Sequence, residues 1–259
     1  PGNPIGSYVV TLLVIELASL YAGRTKLDIL LVPLGGMLLA FLGIYVSFPF
    51  IWLINQLGAL IAAATSITPF VMGIVISVVM GILLTMPTSS AAIWVAVASP
   101  ILSGGTAGTA EVNAMLLAGG AAAVGCACHM VGFAVTSFRE NGVGGLISQG
   151  IGTSMLQIPN IMKRPAIMVP EIVSSAVCGP LSTCVFGLYC DATGGGMGTS
   201  GLVGVFSTVS ASAGVLDGWV LGLGIALLFF LLPAGISLAV SELMRKKGWI
   251  RPGDMKLDV

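Results

Sequence analysis

The chain has 259 residues, of which 56% are hydrophobic and only 8% are charged, and its formal net charge is zero. A soluble domain carries about 25% charged residues, so this composition cannot cover the surface of a soluble protein. It predicts an all-α polytopic membrane protein, and it excludes a nucleic-acid partner because there is no basic stripe. The chain begins with Pro1 rather than Met, and we expect a further segment before it.

The first half of the chain contains four apolar stretches. Residues 7–22, 29–48 and 67–84 approach the ~20 apolar residues that a membrane-spanning helix needs, and we predict a span in each. Residues 49–65 are ambiguous. With Trp52 as an anchor, they are compatible with a segment that lies flat at the membrane interface.

Two short runs of the form Met-x-Thr-Ser interrupt the apolar sequence, and we call them the twin breaks. They are Met86–Ser89 and Met197–Ser200. The segments that follow, 88–102 and 199–213, are too short for confident spans, and we predict two re-entrant half-helices. A Ser or Thr hydroxyl caps a helix N-terminus well, and two such termini at mid-membrane suit an anionic or strongly hydrogen-bonding solute. The alternative is a pair of ordinary loops.

The twin breaks indicate an internal repeat. Two further pairs of residues match at the same offset, Pro69 with Pro180 and Ser99 with Ser210. The single transmembrane domain 1–259 then divides into repeat one at about 7–112, repeat two at about 118–223, and a final helix with its tail at 215–259. Three spans and one re-entrant segment in each repeat would invert the second copy, as in many secondary transporters. A parallel arrangement stays open if 143–158 does not cross the membrane.

The second half of the chain supplies the remaining spans and the orientation. The predicted spans are 113–135, 143–158, 165–189 and 215–240, which brings the total to about seven. Four cationic side chains follow the last span: Arg245, Lys246, Lys247 and Arg251. Because short cytoplasmic segments are enriched in Lys and Arg, we predict a cytoplasmic C-terminus.

Ionisable side chains inside spans are costly and are therefore functional candidates. His129 and Glu171 are such residues, although His129 is also compatible with a helix-to-helix hydrogen bond and Glu171 with an interfacial helix start. Asn and Gln offer donors and acceptors that suit sugar hydroxyls. The candidate solute-binding residues are Thr88, Ser89, Thr199, Ser200, His129, Asn141, Gln157 and Glu171.

Cysteines do not change this interpretation. Cys126 and Cys128 beside His129 are compatible with a soft-metal site, but their spacing matches no common zinc pattern, and small buried helix residues are the favoured reading. We predict no metal, no cofactor and no catalytic group in this chain.

Three runs of sequence resemble a known family. They are Gly152–Asn160, Cys178–Thr183 and Gly196–Gly204. They are similar to the enzyme-IIC-like integral membrane proteins grouped with the bacterial phosphotransferase system, including the perfringolysin-regulator-like proteins. The resemblance implies a sugar permease in the bacterial inner membrane, a homodimer, and a separate IIB-type subunit. The Gly-Ile-Thr-Glu-Pro sugar motif of such permeases has only a distant echo here, in Val169-Pro170-Glu171.

The sequence therefore predicts membrane transport of a small polar solute, a sugar or sugar-like acid, by alternating access between the twin breaks. Two alternatives stay open. One is a membrane sensor that binds the solute without moving it, and the other is a IIC permease component that needs a separate IIB phosphotransferase.

Overall fold

The computed structural model describes residues 4–24 and 26–257, and it is mainly helical. The α-helices are α1 Pro4–Ser19, α2 Asp28–Ile67, α3 Pro69–Thr85, α4 Ser90–Gly104, α5 Ala110–Thr136, α6 Phe138–Ile147, α7 Ile158–Lys163, α8 Val169–Pro180, α9 Val203–Ser212, α10 Gly218–Ile225 and α11 Leu232–Lys246. Short π-helical turns at Ser148–Gly152, Leu181–Phe186 and Ala226–Leu231 and 3₁₀ turns at Ser154–Gln157, Pro165–Met168 and Ser200–Leu202 join several of them.

Four helical segments of the described chain are long and apolar enough to cross a membrane. They are Asp28–Ile67, Ala110–Thr136, Pro165–Phe186 and Gly218–Lys246. Shorter apolar helices accompany them, at Gly6–Ser19, Pro69–Thr85, Ser90–Gly104 and Ser200–Ser212. With no strand among the described residues, this confirms an all-α membrane protein, while the number of passes and the repeats stay predictions.

Two of the predicted spans differ from the structure in ways that affect the count of spans. The span that we ended at residue 48 continues as helix to Ile67, across Pro33 and Pro49, because an apolar environment leaves helix as the favoured backbone state even at proline. The predicted span 143–158 is wrong, since α6 gives way to a π turn and a 3₁₀ turn. Gly142, with φ of 60° and ψ of −155°, interrupts even α6, so this segment gives no support to an odd number of spans.

The described residues form two compact units that divide after Gly58. In the first unit, α1 packs against α2 at Gly43, where an added Cβ would lie 3.2 Å from Val10 Cγ1. The second unit contains α3 to α11 and all of the candidate solute-binding residues. The division into repeats at about 7–112 and 118–223 stays a prediction.

Helix α5 is the centre of the second unit, and nearly all of its side chains are buried. It packs against α3, α8 and α11. Its Gly125 lies against the backbone of Ser77 on α3, and the Ser77 hydroxyl donates to the Ser175 carbonyl on α8 at 2.8 Å. Small residues let membrane helices approach this closely, which replaces the hydrophobic driving force that lipid cannot supply.

A nonhelical segment, 187–199, crosses α5. Its backbone lies directly on two glycines of that helix: the Leu188 carbonyl contacts Gly120, and the Cys190 carbonyl contacts Gly119. The Cys190 amide also donates to the Leu116 carbonyl at 3.0 Å. The glycine face of α5 therefore binds a segment of this same chain. This segment places the second twin break next to α5.

Candidate functional site

The twin breaks lie next to each other in space. At the first, the Ser89 hydroxyl accepts from the Ala92 amide at 3.2 Å and caps α4. The neighbouring Ser90 hydroxyl donates at 2.7 Å to the carbonyl of Gly196, which directly precedes the second break. Gly195 lies against the buried indole of Trp94. Two segments that are far apart in sequence thus meet in the first turns of α4.

The second break is built differently from the first. Thr199 does not cap a helix, because α9 begins only at Val203, after Leu202 with φ of 59°. The Thr199 hydroxyl donates instead to the Gly150 carbonyl at 2.7 Å, and the Ser200 hydroxyl donates to the Gly152 carbonyl at 3.0 Å. The π turn at 148–152 presents these carbonyls, so the expected cap at Thr199 is wrong.

Thr88 also differs from the expectation of a cap. Its hydroxyl donates to the Leu83 carbonyl at 2.9 Å, so it extends the last turn of α3, and its side chain is exposed. Ser89 is the residue that caps α4. The first break therefore ends one helix with a threonine and starts the next with a serine.

His129 lies at the centre of a buried polar network. Its Nδ1 is 3.0 Å from Thr85 Oγ1, and that hydroxyl is 3.1 Å from Ser154 Oγ. Its Nε2 has no hydrogen-bond partner among the described residues and lies against Gly81, where an added Cβ would be 2.8 Å away. The imidazole thus keeps one free ring nitrogen in a fully buried position.

The turn at 148–154 brings His129 and the second break together. Ser154 lies at one end of this turn and reaches His129 through Thr85. Gly150 and Gly152, the carbonyl partners of Thr199 and Ser200, lie in the same turn. The Thr199 hydroxyl is also 3.5 Å from the sulfur of Met130, the residue after His129. These polar groups surround one short, irregular piece of backbone.

Glu171 is fully buried in the first turn of α8. Its Oε1 accepts from the Thr136 hydroxyl of α5 at 3.2 Å, and its Oε2 has no hydrogen-bond partner among the described residues. Glu171 therefore lies at a helix start and is nevertheless removed from water, while its role as a solute-binding residue stays a prediction.

Asn141 and Gln157 bind the C-terminal tail rather than the twin breaks. Asn141 Nδ2 donates to the Met255 carbonyl at 2.8 Å, and its Oδ1 accepts from the Leu257 amide at 2.8 Å. Gln157 Nε2 donates to the same Met255 carbonyl at 3.0 Å. Asn160 Nδ2 adds a bond to the Lys256 carbonyl at 2.9 Å. Nothing in the local sequence signals this clamp, because amide side chains bind any main chain equally well.

Two ion pairs join α6 to α11. Arg245 donates from Nη1 and Nη2 to Glu140 Oε1, both at 3.0 Å, and the two side chains are only 13% and 10% exposed. Glu140 Oε2 accepts from the Met255 amide at 2.8 Å. Arg139 pairs with Glu242 at 3.0 Å. Arg139 and Glu140, although adjacent in sequence, therefore each pair with a residue of α11.

Asp191 organises the glycine-rich loop before the second break. Its Oδ1 accepts from the Thr193 and Gly194 amides and from the Ser207 hydroxyl, at 2.8, 3.0 and 2.7 Å. Partial desolvation alone raises the pKa of this carboxyl. The hydrogen bonds from Thr193, Ser207 and the loop amides outweigh it and hold the pKa of Asp191 below its ordinary value. The anionic form therefore fixes the loop against α9.

The cysteines of the described chain are free thiols. Cys126 directs its sulfur at the Met80 carbonyl, 3.5 Å away. Among the described residues, no group of three or more His, Cys, Asp or Glu side chains is arranged to hold a metal ion. The polar contacts that the structure gives His129 are hydrogen bonds, to Thr85 and through it to Ser154.

Comparison with known proteins adds the family. The family model for the phosphotransferase system EIIC matches residues 1–257. The chain belongs to this family. EIIC proteins are the membrane transport components of that system, and they work with separate IIA and IIB subunits and a solute. The comparisons with curated proteins and with solved structures find no match to this EIIC chain.

Proposed function

We propose that this EIIC protein carries a small polar solute, a sugar or sugar-like acid, across the bacterial inner membrane by alternating access. The single observation that supports this most is the meeting of the twin breaks beside buried polar groups. Interrupted helices at membrane depth are tolerated where they line a cavity or pathway. Family membership supports the transport role and a separate IIB subunit.

The solute site in this proposal lies around the turn at 148–154. His129 Nε2 is a buried ring nitrogen without a partner among the described residues, and a solute hydroxyl would satisfy it. The Thr85 hydroxyl holds the ring through Nδ1, and the Ser154 hydroxyl bonds to that of Thr85. The hydroxyls of Thr199 and Ser200 hold the carbonyls of the turn, so a movement of the turn would expose both sets of groups together.

Ser89 and Glu171 have supporting positions. Ser89 fixes the N-terminus of α4, whose partial positive charge favours an acidic solute. Glu171 reaches α5 through Thr136, one turn beyond Gly132 and two beyond His129. Thr88 is exposed at the first break. Asn141 and Gln157 bind the tail, so any effect of these two residues on solute binding would pass through the turn at 148–154.

The orientation and assembly belong to the same proposal. Arg245, Lys246, Lys247 and Arg251 follow the last long apolar helix, which favours a cytoplasmic C-terminus. The clamped tail then lies on the side where a IIB subunit would dock. We expect a homodimer, as the family resemblance implies.

The first experiment is a thermal-stability screen of purified protein against sugars, sugar acids, carboxylates and nucleosides. A ligand near 100 times its dissociation constant stabilises by about 2.7 kcal/mol. We expect a hit that is lost in His129→Gln and weakened in Thr199→Val. Thr208→Val is the matched control, because Thr208 is also buried and its hydroxyl also donates to a carbonyl, that of Gly204, within its own helix.

Flux in proteoliposomes then tests transport. Solute counterflow that follows the same order of variants supports the proposal. Binding without counterflow identifies a sensor instead. A hit that His129→Gln and Thr199→Val leave unchanged places the site elsewhere and refutes the assignment around the turn.

A further inference from the structure

Four oxygen-bearing side chains lie on α5, α8 and α11, three helices that pack together. They are Thr136, Glu171, Ser237 and Ser241. All four are buried, Glu171 and Ser237 completely. Glu171 Oε2, Ser237 Oγ and Ser241 Oγ have no hydrogen-bond partner within the described chain. Buried polar atoms are nearly always satisfied, so several unsatisfied oxygens beside one carboxylate require an explanation.

Gly132 shows how closely these groups approach. A Cβ added to Gly132 would lie 2.8 Å from both Ser237 Oγ and Glu171 Cγ, and 3.3 Å from Glu171 Oε1. The carboxylate and the Ser237 hydroxyl therefore face the same point on α5. A side chain at that position would occupy the space between them.

The register of α11 on α5 places Ser241 at the same cluster. Ser237 lies at Gly132, and two turns later Arg245 donates to the Thr136 carbonyl at 3.2 Å and pairs with Glu140. The two helices thus run in parallel, and Ser241 falls at the level of Thr136. The Thr136 hydroxyl donates to Glu171 Oε1 and keeps its lone pairs for a further partner.

The charge of Glu171 has no counterpart in the protein. No ion pair within 4.0 Å joins it to a cation among the described residues, since Arg245 is engaged by Glu140. An isolated buried carboxylate is strongly unfavourable. A bound proton would satisfy one carboxylate oxygen and leave the serine hydroxyls unpaired, whereas a metal ion bound among them would be coordinated by both the carboxylate and hydroxyl oxygens.

We propose that Glu171, Thr136, Ser237 and Ser241 form a binding site for a monovalent alkali cation, with Na⁺ as the fitting probe. Hard cations take oxygen ligands, and the single carboxylate balances a single positive charge. A divalent ion would leave an excess charge in a buried site. The inference concerns cation binding in the absence of solute, so it stands apart from the proposed transport.

A cleft lies beside the site and touches one of its residues. The cleft, of about 310 Å³, lies between α5, α6 and α11 and is lined by Thr136, Leu238 and Glu242, among others. Thr136 is the residue that this cleft shares with the carboxylate site. The rest of the lining is mostly apolar, apart from Glu242 and its partner Arg139, so among the proposed ligands the cleft reaches Thr136 alone.

The test is Na⁺ titration of the purified, solute-free protein at constant ionic strength, with choline as the replacement cation. We expect a saturable rise of the melting temperature with Na⁺ and direct ²²Na⁺ binding. Glu171→Gln should abolish both, and Ser237→Ala should raise the half-saturating Na⁺ concentration by about tenfold, the effect of one lost ligand of about 1.4 kcal/mol. Gly132→Ala should weaken binding by filling the shared space.

Ser182→Ala is the matched control, because Ser182 is also a buried serine whose hydroxyl has no partner among the described residues, about three helical turns from Glu171. It should bind Na⁺ like the parent protein. If Glu171→Gln fails to fold, Ser237→Ala against Ser182→Ala decides the matter. Equal stabilisation by Na⁺ and choline in the parent, or an unchanged Na⁺ affinity in Ser237→Ala, overturns the proposal.

Discussion

Neutralising Glu140 is expected to destabilise the protein far more than neutralising Glu242, although both carboxylates pair with an arginine at 3.0 Å. The Glu140–Arg245 pair is 10% and 13% exposed, whereas Glu242 and Arg139 are 38% and 70% exposed. Removing one partner of a buried pair leaves an uncompensated charge and costs about 3–5 kcal/mol. An exposed pair contributes about 0–1 kcal/mol.

The hydrogen bonds of Glu140 place the expected cost of Glu140→Gln near the lower end of that range, at about 3 kcal/mol. One carboxylate oxygen accepts from Arg245 and the other from the Met255 amide. A glutamine amide offers one acceptor and one donor, so it satisfies only one of these two partners. Arg245 keeps its bond to the Thr136 carbonyl, which limits the loss.

The assay is SDS-induced unfolding in mixed micelles, in which a shift of the midpoint at constant slope measures the change in stability. Glu242→Gln is the control and should shift the free energy of unfolding by less than about 1 kcal/mol. Higher salt should reduce the effect of Glu242→Gln and leave that of Glu140→Gln unchanged, since screening acts mainly on exposed charges. A Glu140→Gln shift no larger than the Glu242→Gln shift would refute the reasoning.

Three further outcomes are expected. Asn141→Leu removes two hydrogen bonds to the C-terminal tail, each of which contributes about 1 kcal/mol. Trypsin should therefore cut after Lys256 faster than in the parent. An unchanged cleavage rate would contradict the binding of the tail by Asn141. The pKa of Asp191 is lower in the folded state than its ordinary value of 3.8, so the anionic side chain stabilises the fold above that pH and the stabilisation is lost as pH falls through the folded-state pKa. The parent should therefore be more stable than Asp191→Asn at neutral pH, and the difference should close below about pH 4. A difference in stability that does not depend on pH would refute this. Gly125→Ala should lower the free energy of unfolding by about 1–3 kcal/mol or more in the same SDS assay, because its Cβ would overlap the Ser77 backbone. The Cβ of Gly222→Ala would meet no atom within 4 Å, so this control should be neutral or slightly stabilising. Equal effects of the two substitutions would be inconsistent with the packing.

Composition alone predicted the class of this protein, because eight charged residues in a hundred cannot cover a soluble surface. The long apolar runs predicted most helices within a few residues, since in lipid the backbone must satisfy its own hydrogen bonds. The apolar runs were less informative between 138 and 163. There glycines and proline lower the preference for helix, and a π turn at 148–152 replaces the predicted span.

The candidate site was predicted in part. The twin breaks were recognised from a repeated four-residue run, and the structure places them side by side. The buried position of His129 and Glu171 also follows from apolar neighbours. Asn141 and Gln157 were assigned to solute because their chemistry suits sugar hydroxyls, yet their amides bind the main chain of the tail.

The sequence by itself determined that this protein lies in a lipid bilayer, that its backbone is helical and which kinds of polar group it buries, because these depend on composition and local pattern. Only the tertiary structure decided which polar groups meet. Ser90 reaches Gly196, Thr136 reaches Glu171, and Asn141 reaches Leu257 across long sequence separations. The physical reason is that a hydrogen bond is directional and short, so its partner is chosen by helix register and close glycine packing rather than by residue type.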